Sequence, residues 1–158
     1  MPNETRSDFA ELGVPAPLVA SLAARGVDAP FPIQTKTLPD TLAGRDVLGR
    51  GKTGSGKTLA FALPLVARLN GVRRTPNRPT GLVLAPTREL ATQITATVAP
   101  LAEATGLTVT TIFGGVAQSR QVSALRAGAD IVVACPGRLE DLMRQNLISL
   151  DAVRVTVI

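Results

Sequence analysis

The chain has 158 residues, 45% of them hydrophobic and 18% charged, with a formal charge of +5 at neutral pH. That composition excludes a disordered polyampholyte and suits a domain of ordinary size. One cysteine and no histidine exclude a disulfide framework, a Cys-rich zinc site and a histidine-based triad, and make a reducing cytoplasm the default compartment.

Met1-Pro2-Asn3-Glu4 is polar and acidic, unlike a secretory signal. A helix is predicted over 15–25, where Val14, Leu18 and Leu22 share one face and Gly26 follows as a stop. A second is predicted over 33–43, ending at Gly44, with a bend at Pro39. Beyond it, short apolar runs alternate with helical stretches. The strands are predicted over 46–49, 81–85, 108–113, 130–134 and 153–158, and the helices over 57–70, 88–105, 117–127 and 138–145. The longest apolar run, Leu59 to Ala67, contains Pro64 and is too short to span a membrane. Strands separated by helices specify an α/β fold, a parallel sheet with helices on both faces. Residues 71–80 (GVRRTPNRPT) form the one obvious surface loop. The chain therefore divides into a helical segment, 1–44, and an α/β part, 45–158.

Charge is concentrated. Arg45, Arg50, Lys52, Lys57, Arg68, Arg73, Arg74 and Arg78 crowd a stretch whose one acid is Asp46. Such a stretch is either a solvated basic face or a contact for phosphate-bearing partners, nucleotide or nucleic acid.

Gly51-Lys52-Thr53-Gly54-Ser55-Gly56-Lys57-Thr58 matches the phosphate-loop pattern G-x-x-x-x-G-K-[ST] between a predicted strand and a predicted helix. Glycines let backbone N–H groups converge on phosphate oxygens, and the helix N-terminus adds partial positive charge. Lys57 is the group to reach the β- and γ-phosphates, and the Thr58 hydroxyl the group to meet Mg²⁺.

With these residues in view, the sequence resembles the first of the two RecA-like domains of the DEAD-box RNA helicases. Gly26-Val27-Asp28-Ala29-Pro30-Phe31-Pro32-Ile33-Gln34 resembles that family's Q motif, and Phe9 lies where the family carries an isolated aromatic. The resemblance implies that Gln34 reads the adenine edge of ATP and that Phe9 stacks on the base. Taken alone, Gln34 reads as a surface helix residue and Phe9 as a core residue; their joint spacing favours the nucleotide roles. Ala85-Pro86-Thr87-Arg88-Glu89-Leu90-Ala91 resembles motif Ia, Gly114-Gly115 the paired glycines, and Cys135-Pro136-Gly137-Arg138 motif Ib. Each follows a predicted strand, at the sheet edge where open α/β folds bind ligands. The resemblance assigns Pro86, Thr87, Arg88, Gly114, Gly115, Pro136, Gly137 and Arg138 to the RNA sugar–phosphate backbone. Singly, each motif also reads as an ordinary turn into a helix.

Three departures from the family pattern bear on chemistry. Lys52 stands near the start of the phosphate loop, where it either adds charge at the nucleotide or faces solvent; solvent is preferred. Cys135 replaces the usual threonine of motif Ib and reads as a small buried hydrophobe rather than a nucleophile. Finally, a phosphate-loop hydrolase needs an acid at the end of an apolar strand, and neither 131–134 nor 153–158 carries one. By resemblance the Asp-Glu-Ala-Asp tetrad would come next. The expectation is therefore an incomplete RecA-like domain that binds ATP, Mg²⁺ and RNA weakly and lacks the second RecA-like domain. It is expected to be inactive alone and to fold poorly, with a gap inside its sheet. A non-hydrolysing binding module is the alternative.

Overall fold

The computed structural model describes residues 8–158; the polar start of the chain lies outside them. Four strands, β1 (Gly81–Leu84), β2 (Val109–Ile112), β3 (Ile131–Ala134) and β4 (Val155–Val157), form one sheet in the order β2-β3-β1-β4. All pairings are parallel, with Leu82 opposite Val132 and Thr156, and Ile112 opposite Ala134. The helices are α1 (Asp8–Glu11), α2 (Ala16–Ala24), α3 (Pro32–Leu42), α4 (Lys57–Leu69), α5 (Arg88–Ala104), α6 (Gln118–Ala127) and α7 (Pro136–Arg144).

The sheet buries both faces, as a parallel sheet must. Val83, Ala85, Ile131 and Val133 point into a core shared with Phe9 of α1, Leu18 and Leu22 of α2, Leu38 of α3, and the apolar faces of α4 and α5. Their chain neighbours Leu82, Val132 and Ala134 point the other way, against Leu125 of α6 and Leu139 and Leu142 of α7. This period-2 alternation places helices on both faces. The helices over 8–44 therefore share one core with α4 and α5.

The strand expected over 46–49 does not form. Those residues have no ladder partner, Val47 is half-exposed and Leu48 is 101% exposed. A strand needs a neighbour to accept its N–H groups. β4 pairs with β1 on one side, and its other edge is unpaired among the described residues. Instead, Val47 and Gly49 line an open groove of about 390 Å³ together with Val157 and Ile158.

The far end of the sheet is fastened by an ion pair that the sequence does not announce. Asp130, 3% exposed, accepts from Arg74 Nε (3.1 Å) and Nη2 (2.7 Å) and from the Thr108 N–H (2.8 Å). Arg74 Nη2 also donates to the Gly106 carbonyl at 3.1 Å. The arginine of the long loop thereby ties together the starts of β2 and β3.

Candidate functional site

The phosphate loop leads straight into α4. Gly54 (φ +78°) and Gly56 (φ +84°) both adopt the left-handed conformation that favours glycine. Gly56 is the N-cap of α4, so the helix's first N–H groups are free of a side-chain cap. A Cβ on Gly56 would stand 2.5 Å from both Gln34 Nε2 and Phe31 Cδ2, so only glycine fits there. Lys57 is exposed at the helix start and Thr58 half-buried beside it, while Lys52 is exposed, as preferred from the sequence. Ser55 Oγ is buried without a hydrogen-bond partner, beneath Gly51. Such an orphaned hydroxyl, with bare helix N–H groups and an exposed lysine, fits an anionic phosphate chain.

A magnesium ion fits less completely. Thr58 offers one oxygen, and among the described residues no Asp or Glu side chain lines the groove beside it. Among the described residues, no cluster of three metal-ligating side chains occurs. Mg²⁺ commonly keeps several waters and binds through phosphates plus one or two carboxylates. Here it would be held by the nucleotide and Thr58.

Gln34 lies at the third position of α3 and is 1% exposed. Its Oε1 accepts from the Phe31 N–H and its Nε2 donates to the Gly56 carbonyl, both at 2.9 Å. The amide thus fastens the N-terminus of α3 to the phosphate loop rather than presenting an open edge. Phe9 is 0% exposed, packed in the helical core with Leu18 and Leu22. Buried there, it offers no face to a base, which corrects the stacking role expected for it. Phe31, which the sequence reading left without a role, is the exposed aromatic beside the loop, 54% exposed and lining a small cleft with Lys36, Arg50 and Ser55.

The other expected residues gather where β1, β2 and β3 end. Thr87 N-caps α5, its Oγ1 accepting from the Leu90 N–H at 3.2 Å. Arg88 is exposed, its guanidinium 5.0 Å above the Phe113 ring. A Cβ on Gly115, itself at φ +81°, would come 2.5 Å from Arg88 Nη1. Pro136 and Gly137 open α7, both exposed, and Pro86 is exposed at the end of β1. Arg138 is half-buried and donates to the Val116 carbonyl and to Gln121 Oε1. Burial pushes the Cys135 thiol up, with Glu89 adding to the shift and Arg88 opposing it. A thiol held protonated is a poor nucleophile.

Gln121 escaped the sequence reading. The available signal was a glutamine one helical turn before buried Leu125, on the face of α6 that meets the sheet.

A parallel four-stranded sheet with helices on both faces and a glycine-rich loop opening α4 matches a RecA-like domain. The family profile described as DEAD/DEAH box helicase matches residues 31–158, and the chain belongs to that family. It is 42% identical to proteins named ATP-dependent RNA helicase RhlB from Sodalis glossinidius (strain morsitans) and Shigella dysenteriae serotype 1 (strain Sd197), over 98% of this chain and 38% of each relative. The crystal structure of the RNA-helicase Prp28 from Chaetomium thermophilum bound to ADP superposes with a TM-score of 0.87 at 40% identity, covering 99% of this chain and 38% of that one. The chain thus spans well under half the length of these relatives, and the fold is an incomplete part of theirs.

Proposed function

We propose that this chain is the ATP- and RNA-binding first part of a DEAD-box RNA helicase, working in the cytoplasm. The parent protein would couple ATP hydrolysis to unwinding or remodelling of RNA duplexes, with a second RecA-like domain as its partner. The observation that carries the nucleotide half is the Gly54–Thr58 loop, left-handed at Gly54 and Gly56, with orphaned Ser55 Oγ beneath it. Thr53, Gly54, Ser55 and Gly56 surround the phosphate chain with backbone and hydroxyl donors, Lys57 supplies charge, and Thr58 takes one position on Mg²⁺. The ion would screen phosphate charge. Gln34 supports adenine selection by holding the α3 start against the loop.

The RNA half rests on bare backbone. A Cβ on Gly114 or Gly137 would meet nothing within 4 Å, so neither glycine is demanded by the fold's own packing. Glycine there leaves room for a sugar–phosphate chain against the main-chain amides, with Arg88 and Arg138 nearby. Contacts of that kind bind without reading sequence.

Alone, this chain would bind without turning ATP over, because among the described residues no Asp or Glu side chain lines the groove beside Lys57 and Thr58. Titrating ATP and GTP into wild type and Lys57→Ala tests the reading. The variant loses a charge-assisted contact worth about 1.5–3 kcal/mol, tenfold or more in affinity. Equal affinity for GTP, or no loss in Lys57→Ala, would refute it.

A further inference from the structure

We propose that Gln121 is the positioning residue of the RNA-backbone surface, its amide setting where the Gly114–Gly115 turn and Arg138 stand. This inference rests on the RNA reading above.

Gln121 sits in the first half of α6 and is 6% exposed. A buried amide must be bonded at both ends, and this one is. Its Nε2 donates to the Phe113 carbonyl at 2.8 Å, on the residue just before Gly114. Its Oε1 accepts from Arg138 Nη1 at 3.2 Å. Arg138 in turn donates to the carbonyl of Val116, just after Gly115, from Nη1 (3.3 Å) and Nη2 (3.4 Å). The glycine turn is therefore gripped at its entry and its exit by two side chains that also hold each other.

An amide suits this role. It carries a donor for the carbonyl and an acceptor for the guanidinium on one planar head. A carboxylate would turn an acceptor toward Phe113, and a thioether of similar length would supply neither strong bond. On the opposite flank, Arg88 lies over Phe113 and against Gly115, so the position of the turn also bears on Arg88. Three loops from three strands become one unit, while the remaining N–H groups of Arg138 stay available to a phosphate.

The test follows a single-stranded oligoribonucleotide by fluorescence anisotropy across a salt series. The proteins are wild type, Gln121→Met, Arg138→Gln and the double variant, and amide hydrogen exchange of each free protein gives a readout that needs no RNA. If Gln121 positions Arg138, Gln121→Met shallows the slope of log K against log salt by the same ~0.7 that Arg138→Gln removes. The double variant then binds no worse than Arg138→Gln alone, and exchange quickens over 114–117 while α4 and β3 stay protected. A residue that merely stabilises the domain leaves the slope unchanged, adds its loss to that of Arg138→Gln and quickens exchange everywhere; that result overturns the proposal. Absence of RNA binding in wild type overturns the RNA reading instead, and the positioning claim then stands or falls on exchange at 114–117.

Discussion

Gln34 Nε2 donates to the carbonyl of Gly56 across 2.9 Å, joining the first turn of α3 to the residue that caps α4. Replacing Gln34 by leucine leaves the Phe31 N–H and the Gly56 carbonyl without these partners. Each lost buried bond costs about 1–3 kcal/mol. Urea melts should show Gln34→Leu destabilised by that order, and calorimetry should show weaker ATP binding. Unchanged stability with unchanged ATP affinity would show that the amide holds nothing.

Gly137→Ala should separate folding from binding. Gly137 occupies the first turn of α7 with open space where a Cβ would go. Alanine is the better helix former by up to about 1 kcal/mol, so thermal melts should show equal or higher stability. RNA affinity should fall, because the methyl group would stand on the proposed path of the phosphate backbone. A variant as tight as wild type would move the RNA path away from α7.

Removing Arg74 should be costly although it is partly exposed. Its partner Asp130 has a side chain only 2% exposed, and breaking a buried pair from one side costs about 3–5 kcal/mol. Arg74 is itself 41% exposed, so solvent screens the pair, and half of the Asp130 contacts survive through Thr108, so Arg74→Met should fall below that range. Denaturant midpoints would measure it, and a change below about 0.5 kcal/mol, the size of an ordinary surface substitution, would count against the lock.

The open edge of β4 and the unpaired 46–49 segment should promote association between copies. Leu48 is 101% exposed, and a bare strand edge is a template for another chain. Sedimentation should show association rising with concentration and falling in Leu48→Lys, whose melting should match wild type within about 0.5 kcal/mol. A wild-type monomer at every concentration would contradict this.

Cys135 should resist alkylation at neutral pH. Burial raises its thiol pKa in the folded chain, so the unfolded chain ionises first and binds fewer protons above the ordinary thiol pKa. Stability contributed by the protonated thiol is full below that value and is lost as pH rises through the folded value. Iodoacetamide labelling should therefore be slower than for the unfolded chain until alkaline pH. Fast labelling at neutral pH would reverse the assignment.

Much of the fold was legible because its information is local. The apolar face of α2, the short apolar runs of β1 and β3, and the glycine stops after α2 and α3 all arise from neighbours a few residues apart. The glycine-rich turn that opens α4 was equally legible, since Gly51 to Thr58 are contiguous and its shape depends on backbone freedom within that run. Tertiary structure decided what depends on a distant partner. Residues 46–49 have strand composition but gain no ladder, because pairing requires a second strand whose place no local pattern records. Phe9 has the spacing of a base-stacking aromatic, yet the apolar faces of α2 and α3 bury it completely. Gln34, Arg138 and Gln121 each bond a residue at least 17 positions away. Periodicity reports which face of an element is apolar, while a hydrogen bond between two elements exists only once packing has brought them within about 3 Å.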